Sequence, residues 1–147
     1  MEKKKILVGG VVYIAAAVAT VLCLGFIVLD ASVLKWTIGN LEGTEGLGVA
    51  IVLALSLSIQ YPAAAVNLIF QLICGVVMVT YPKRELVLHK ALRVIATIVG
   101  VVAALVHGFF ALTYLNGGVA LWGVLSLLVA VLALVAPIIS AVAHKEV

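Results

Sequence analysis

From Leu47 to Tyr81 the chain runs for thirty-five residues without one formal charge. An upright membrane helix needs roughly 20 apolar residues to cross about 30 Å of hydrocarbon, so this run is too long for one upright span. It also holds Ser56, Gln60, Asn67 and Gln71, which lipid does not solvate, with Pro62 among them. Whatever fold the chain adopts must place this run and hide its polar groups.

The surroundings fix the solvent. Of the 147 residues, 66% are hydrophobic and only 10% are charged, where a soluble domain carries about 25%. Such a composition cannot cover a surface facing water, so lipid must solvate most of the chain. In lipid, backbone groups find partners only within helices or closed barrels. The sequence therefore predicts an all-α membrane protein, a single transmembrane domain over residues 1–147.

Four spans are expected, at about 6–29, 49–81, 86–115 and 119–143, with an outer loop at 30–48 and a tight turn at Asn116-Gly117-Gly118. The first apolar run, Ile6–Leu29, exceeds the 7–15 residues typical of a signal-peptide core, so it is read as a retained span. Charge parity decides whether the long run crosses once or twice. A single crossing puts Lys83, Arg84, Lys90 and Arg93 on the side of Lys3, Lys4 and Lys5. With Lys145, eight basic residues then lie inside, and Lys35 alone lies outside. The positive-inside rule favours that arrangement, with both termini cytoplasmic. The second helix is expected to be long and kinked near Pro62, which lacks an amide donor and crowds the carbonyl four residues back. Trp36, Lys83, Arg84, Lys90 and Arg93 are expected as interfacial anchors.

At 100° per residue, Ser56, Gln60, Asn67, Gln71, Cys74 and Met78 fall within a sector of about 60°. The third span has its own small and polar face, with Gly100, Ala104 and Gly108 spaced for close helix packing and His107 beside them. Counted up from the inner side, Asn67 and His107 reach one depth. An amide or imidazole without a partner in hydrocarbon costs several kcal/mol. The two are therefore expected to meet, in a hydrogen bond or through one water. Gln60, Asn67, Gln71 and His107 form the candidate intramembrane polar cluster.

Several classes are disfavoured. No nucleophile–base pair, acidic dyad or phosphate-cradling loop is present, so no catalytic residue and no enzyme is expected. His89 and His107 lie about 27 Å apart along one helix and cannot share a haem iron. No metal and no cofactor is expected. Cys23 and Cys74 form no CxxC pair. The basic residues sit at the ends of apolar runs, not in a patch, so nucleic acid is not an expected partner. No carboxylate lies deep in any span to couple transport to protons.

Four helices with a longer first outer loop and a tight second one resemble the broad tetraspan architecture of claudin-like and MARVEL-like proteins. The first outer loop has Trp36 but no cysteine, so the resemblance implies a layout and carries over no functional residue. The expected function is that of a multi-pass tetraspan protein of the cell membrane, a non-enzymatic structural or accessory subunit. Its expected partners are the lipid bilayer and either further copies of itself or a larger membrane complex. The alternative is a small channel or carrier with a polar pathway along the second and third helices.

Overall fold

The computed structural model describes residues 2–38, 51, 54–81, 87–116 and 120–145, and these are helical except for Tyr81. We label the helices α1 (Glu2–Ile38), α2 (Tyr61–Thr80), α3 (Val87–Asn116) and α4 (Ala120–Lys145). A π-helical turn, Ser56–Gln60, leads directly into α2. No strand occurs among the described residues. Among the described residues, four segments are long and apolar enough to cross a membrane: Lys4–Ile27, Ser56–Thr80, Lys90–Asn116 and Ala120–Ser140. The described part of the uncharged run contributes one of them, Ser56–Thr80.

Local chemistry accounts for the element ends. α1 continues nine residues past Leu29, into the segment expected to be loop, because nothing from Asp30 to Ile38 breaks a helix and the first glycine comes at position 39. Pro62 occupies the first turn of α2. It cannot donate to the carbonyl one turn back, and its ring crowds that carbonyl. The chain responds by widening the preceding turn, where the Tyr61 amide donates to the Ser56 carbonyl in the i→i+5 pattern. At the other end, Pro82 disfavours helical geometry at Tyr81. Tyr81 accordingly leaves the helix at φ −120° and ψ 60°, while its amide still donates to Val77 O at 2.9 Å.

The helices form a ring in chain order: α1 packs on α2, α2 on α3, α3 on α4, and α4 back on α1. Glycine sets the closest approaches. A Cβ on Gly75 of α2 would stand 2.9 Å from the Gly10 carbonyl of α1, and one on Gly100 of α3 would stand 2.6 Å from the Ala133 carbonyl of α4. No described glycine brings the α2 backbone against α3 in the same way. That seam instead carries two apolar surface grooves. One, of about 350 Å³, is lined by Pro62, Ala63, Val66, Ile98, Val99, Val102 and Ala103. The other, of about 290 Å³, lies between Leu55, Ile59, Leu105, Val106, Phe109 and Phe110.

The interior is layered along the bundle. At the end that holds the N-terminus Ile6, Tyr13, Ala16, Cys74, Met78, Ala96 and Ala136 pack together. At the opposite end Leu24, Ile27, Ala64, Phe110, Tyr114, Trp122 and Val129 do so. Between them lies a stretch of small residues, with Ala103, Ala104, Ala130 and Ala133 joining α3 to α4. The outside is the inverse of a soluble protein: Leu105 is 71% exposed and Phe109 65%, with many other large aliphatic residues uncovered. In water each would lose on the order of 1.5–3 kcal/mol relative to burial, so the surface is built for hydrocarbon.

Candidate functional site

Every described member of the polar stripe points inward. Ser56, Gln60, Asn67 and Gln71 of the second span and His107 of α3 are all 0–1% exposed. Three further polar residues, outside the candidate cluster, are buried with them: Thr20 of α1 and Ser126 and Ser140 of α4. Ser126, Ala133 and Ser140 are spaced by seven, so one face of α4 carries them all. That spacing is a signal the sequence does contain.

Around Gln60 the stripe is hydrogen-bonded. Gln60 donates through Nε2 to Ser126 Oγ at 2.9 Å, and its Oε1 accepts from Ser56 Oγ at 2.7 Å. The Tyr114 hydroxyl approaches the same Oε1 at 3.4 Å. Gln60 therefore ties the second span to both α3 and α4. The Tyr114 ring meets Trp122 edge-on, centroids 5.3 Å apart, and the Trp122 indole N–H donates to the Asp30 carboxylate of α1. A chain of polar and aromatic contacts thus links all four helices at this end of the bundle.

The middle of the stripe is different. Asn67, Gln71 and His107 present six polar atoms, Nδ2 and Oδ1, Nε2 and Oε1, Nδ1 and Nε2, and none has a hydrogen-bond partner. The direct bond expected between Asn67 and His107 is not made. Register nevertheless places them at about one level. α2 and α3 run antiparallel, and Gln60 meets Tyr114. Seven residues further along each helix come Asn67 and His107, both interior, within about one helical turn of the same level. Glycine brings the backbones of α1 and α2, and of α3 and α4, into close approach, and no described glycine does so between α2 and α3. Gln71 lies one turn inward of Asn67 on the same face. Thr20 is satisfied by its own helix, donating to Ala16 O at 2.8 Å.

Further in, Tyr13 lies beside Cys74 and Ser140, and the Cys74 thiol approaches Met78 Sδ at 3.8 Å. The remaining site candidates fall as follows. Gly100 and Ala104 lie in the α3–α4 contact, while nothing stands within 4 Å of a Cβ placed on Gly108. Lys90 is exposed and Arg93 half-buried in the first turns of α3, where the Thr97 hydroxyl donates to Arg93 O at 2.7 Å. Lys83 and Arg84 lie outside the described residues, and Trp36 is described only as part of α1. No group of three or more metal-ligating side chains occurs among the described residues. In comparisons with known proteins, no family model, curated protein or solved structure matches the chain.

Proposed function

We propose that the chain is a non-enzymatic, multi-pass structural or accessory subunit of the cell membrane, with both termini cytoplasmic. In this reading it associates with itself or with a larger membrane complex. The carrying observation is the bonding of Gln60 to Ser126 on α4 and Tyr114 on α3. It consumes polar groups within one chain to fix helix register, the usual work of such contacts in membranes. What remains for the outside is an apolar surface suited to lipid and to other helices. The inner clustering of basic residues in the sequence supports the orientation. A helix bend at the π turn and Pro62 belongs to the same reading, because both features interrupt the regular ladder.

The test is purification from native membranes in mild detergent, with the mass of the intact particle measured. The expected particle exceeds the 15.3 kDa of one chain by whole copies or by a stoichiometric partner. A lone, monodisperse monomer across several detergents and in nanodiscs would refute the reading. The second reading, a small channel or carrier, has one observation in its favour, the unpartnered atoms of Asn67, Gln71 and His107. Solute flux into liposomes that falls in both Asn67→Leu and His107→Leu would favour it over the first.

A further inference from the structure

Asn67, Gln71 and His107 are shut inside the bundle. Each is 0–1% exposed, and none of their six polar atoms has a hydrogen-bond partner. None of the three lines either groove of the α2–α3 seam. Nothing outside the bundle touches these atoms, so the partners nearest to hand are one another. Buried polar groups are almost always paired in native structures. The chemistry for pairing is present on two facing helices. Asn67 offers an N–H₂ donor and a carbonyl acceptor, and a neutral His107 imidazole offers one of each.

The two helices are fastened unequally. α3 is seated on α4, where a Cβ on Gly100 would stand 2.6 Å from the Ala133 carbonyl and one on Gly123 would stand 3.2 Å from the Ala111 carbonyl. α2 is held at two separated points. At its start Gln60 donates to Ser126 and is approached by Tyr114. About four turns further along, Gly75 meets the Gly10 carbonyl of α1. Asn67 and Gln71 lie between those points. Just past the first of them the helix bends most easily, because the π turn Ser56–Gln60 and Pro62 both interrupt the regular ladder. Beside this stretch lies the groove of about 350 Å³, with Ala63 and Val66 of α2 facing Val99 and Val102 of α3 across it. That groove is room for α2 to approach α3.

We propose that the stretch of α2 between Gln60 and Gly75 is a conformational joint. It moves against α3 by about 1–2 Å, the scale of helix shifts at packed interfaces. In the closed arrangement the Asn67 amide is hydrogen-bonded to the His107 imidazole and the groove is narrowed. One intramembrane hydrogen bond contributes little, so the open arrangement seen here and the closed one lie close in free energy and both are populated. The bonds of Gln60 are kept in both, since they lie before Pro62. The joint belongs to a single chain and does not depend on its association with other copies or partners.

The experiment uses the full chain in lipid nanodiscs, labelled with nitrogen-15 at asparagine, glutamine and histidine. Three asparagines and two glutamines give five side-chain amides. The Asn67 amide and the His107 imidazole should report one common exchange process, as two sets of signals or as relaxation dispersion on the microsecond-to-millisecond scale. The Gln60 amide should show none. His107→Phe should abolish the exchange at Asn67. Ala63→Leu adds bulk at a half-buried position on the groove wall and should leave a single, unpaired Asn67 signal; it makes the same test if His107→Phe does not fold. One static set of signals from both side chains in the unsubstituted protein, whether unpaired, paired or bound to water, would overturn the proposal. So would exchange at Asn67 that persists unchanged in His107→Phe or Ala63→Leu.

Discussion

Gln60 and Asn67 lie two turns apart on one stripe, are buried to the same degree, and should behave oppositely when replaced by leucine. Gln60 makes three contacts, to Ser56, Ser126 and Tyr114. Intramembrane hydrogen bonds average about 0.6 kcal/mol each, with a maximum near 1.7. Losing the three together should cost on the order of 2 kcal/mol, with Ser126 and Tyr114 left short of a partner. Asn67 has no partner to lose. Leucine there removes a buried amide whose desolvation costs about 1–3 kcal/mol, so Asn67→Leu should be neutral or stabilising. The two variants should then differ by roughly 3 kcal/mol, about a hundred-fold in the unfolding equilibrium. Equilibrium unfolding in mixed micelles, followed by the fluorescence of the two tryptophans, resolves such a gap. Equal destabilisation by both variants would refute the division of the stripe into a saturated and an unpartnered part.

The two glycines of the α3 motif should also part company. Gly100→Ala drives a methyl group into the Ala133 carbonyl and should lower stability by about 1–3 kcal/mol as an overpacked contact. Gly108→Ala meets nothing and should raise it by roughly 0.5–1 kcal/mol through helix propensity. Both can be read from the same unfolding curves. Trp122→Phe keeps the ring but loses the N–H to the Asp30 carboxylate, at a cost of about 1.5–3 kcal/mol for a hydrogen bond to a charged group. Asp30→Asn, which keeps an acceptor, should cost less than Asp30→Ala in the same assay. Gly75→Ala collides with the Gly10 carbonyl and Ile14 of α1 and should separate α1 from α2, seen as new thiol reactivity at the buried Cys74.

The fold class was legible because lipid leaves the backbone few choices, and the four apolar runs report it directly. The inward stripe was legible for a related reason, since a polar side chain on a lipid-facing surface would be costly and periodicity reveals a shared face. Two things were not. The partners of Gln60 lie on other helices, and no spacing within the second span points to Ser126 or Tyr114. A lone serine in an apolar helix carries little information until its level is known. The distance between Asn67 and His107 was equally hidden. Counting residues gives depth along the bundle, but separation across it depends on where glycines let backbones touch. The length of α1 beyond Leu29 follows from the absence of a breaker before Gly39, a cue outweighed by the polar character of the segment.

The claim on which the account rests is that Asn67 and His107 face one another inside a single chain. Asn67→Cys combined with His107→Cys, in a background with Cys23 and Cys74 replaced by alanine, tests it in native membranes with a short bis-methanethiosulfonate linker. The account predicts a cross-link within the monomer, detected by intact mass, and none in either single-cysteine chain. A cross-link that joins two chains, or no cross-link while both thiols remain reactive, would contradict it.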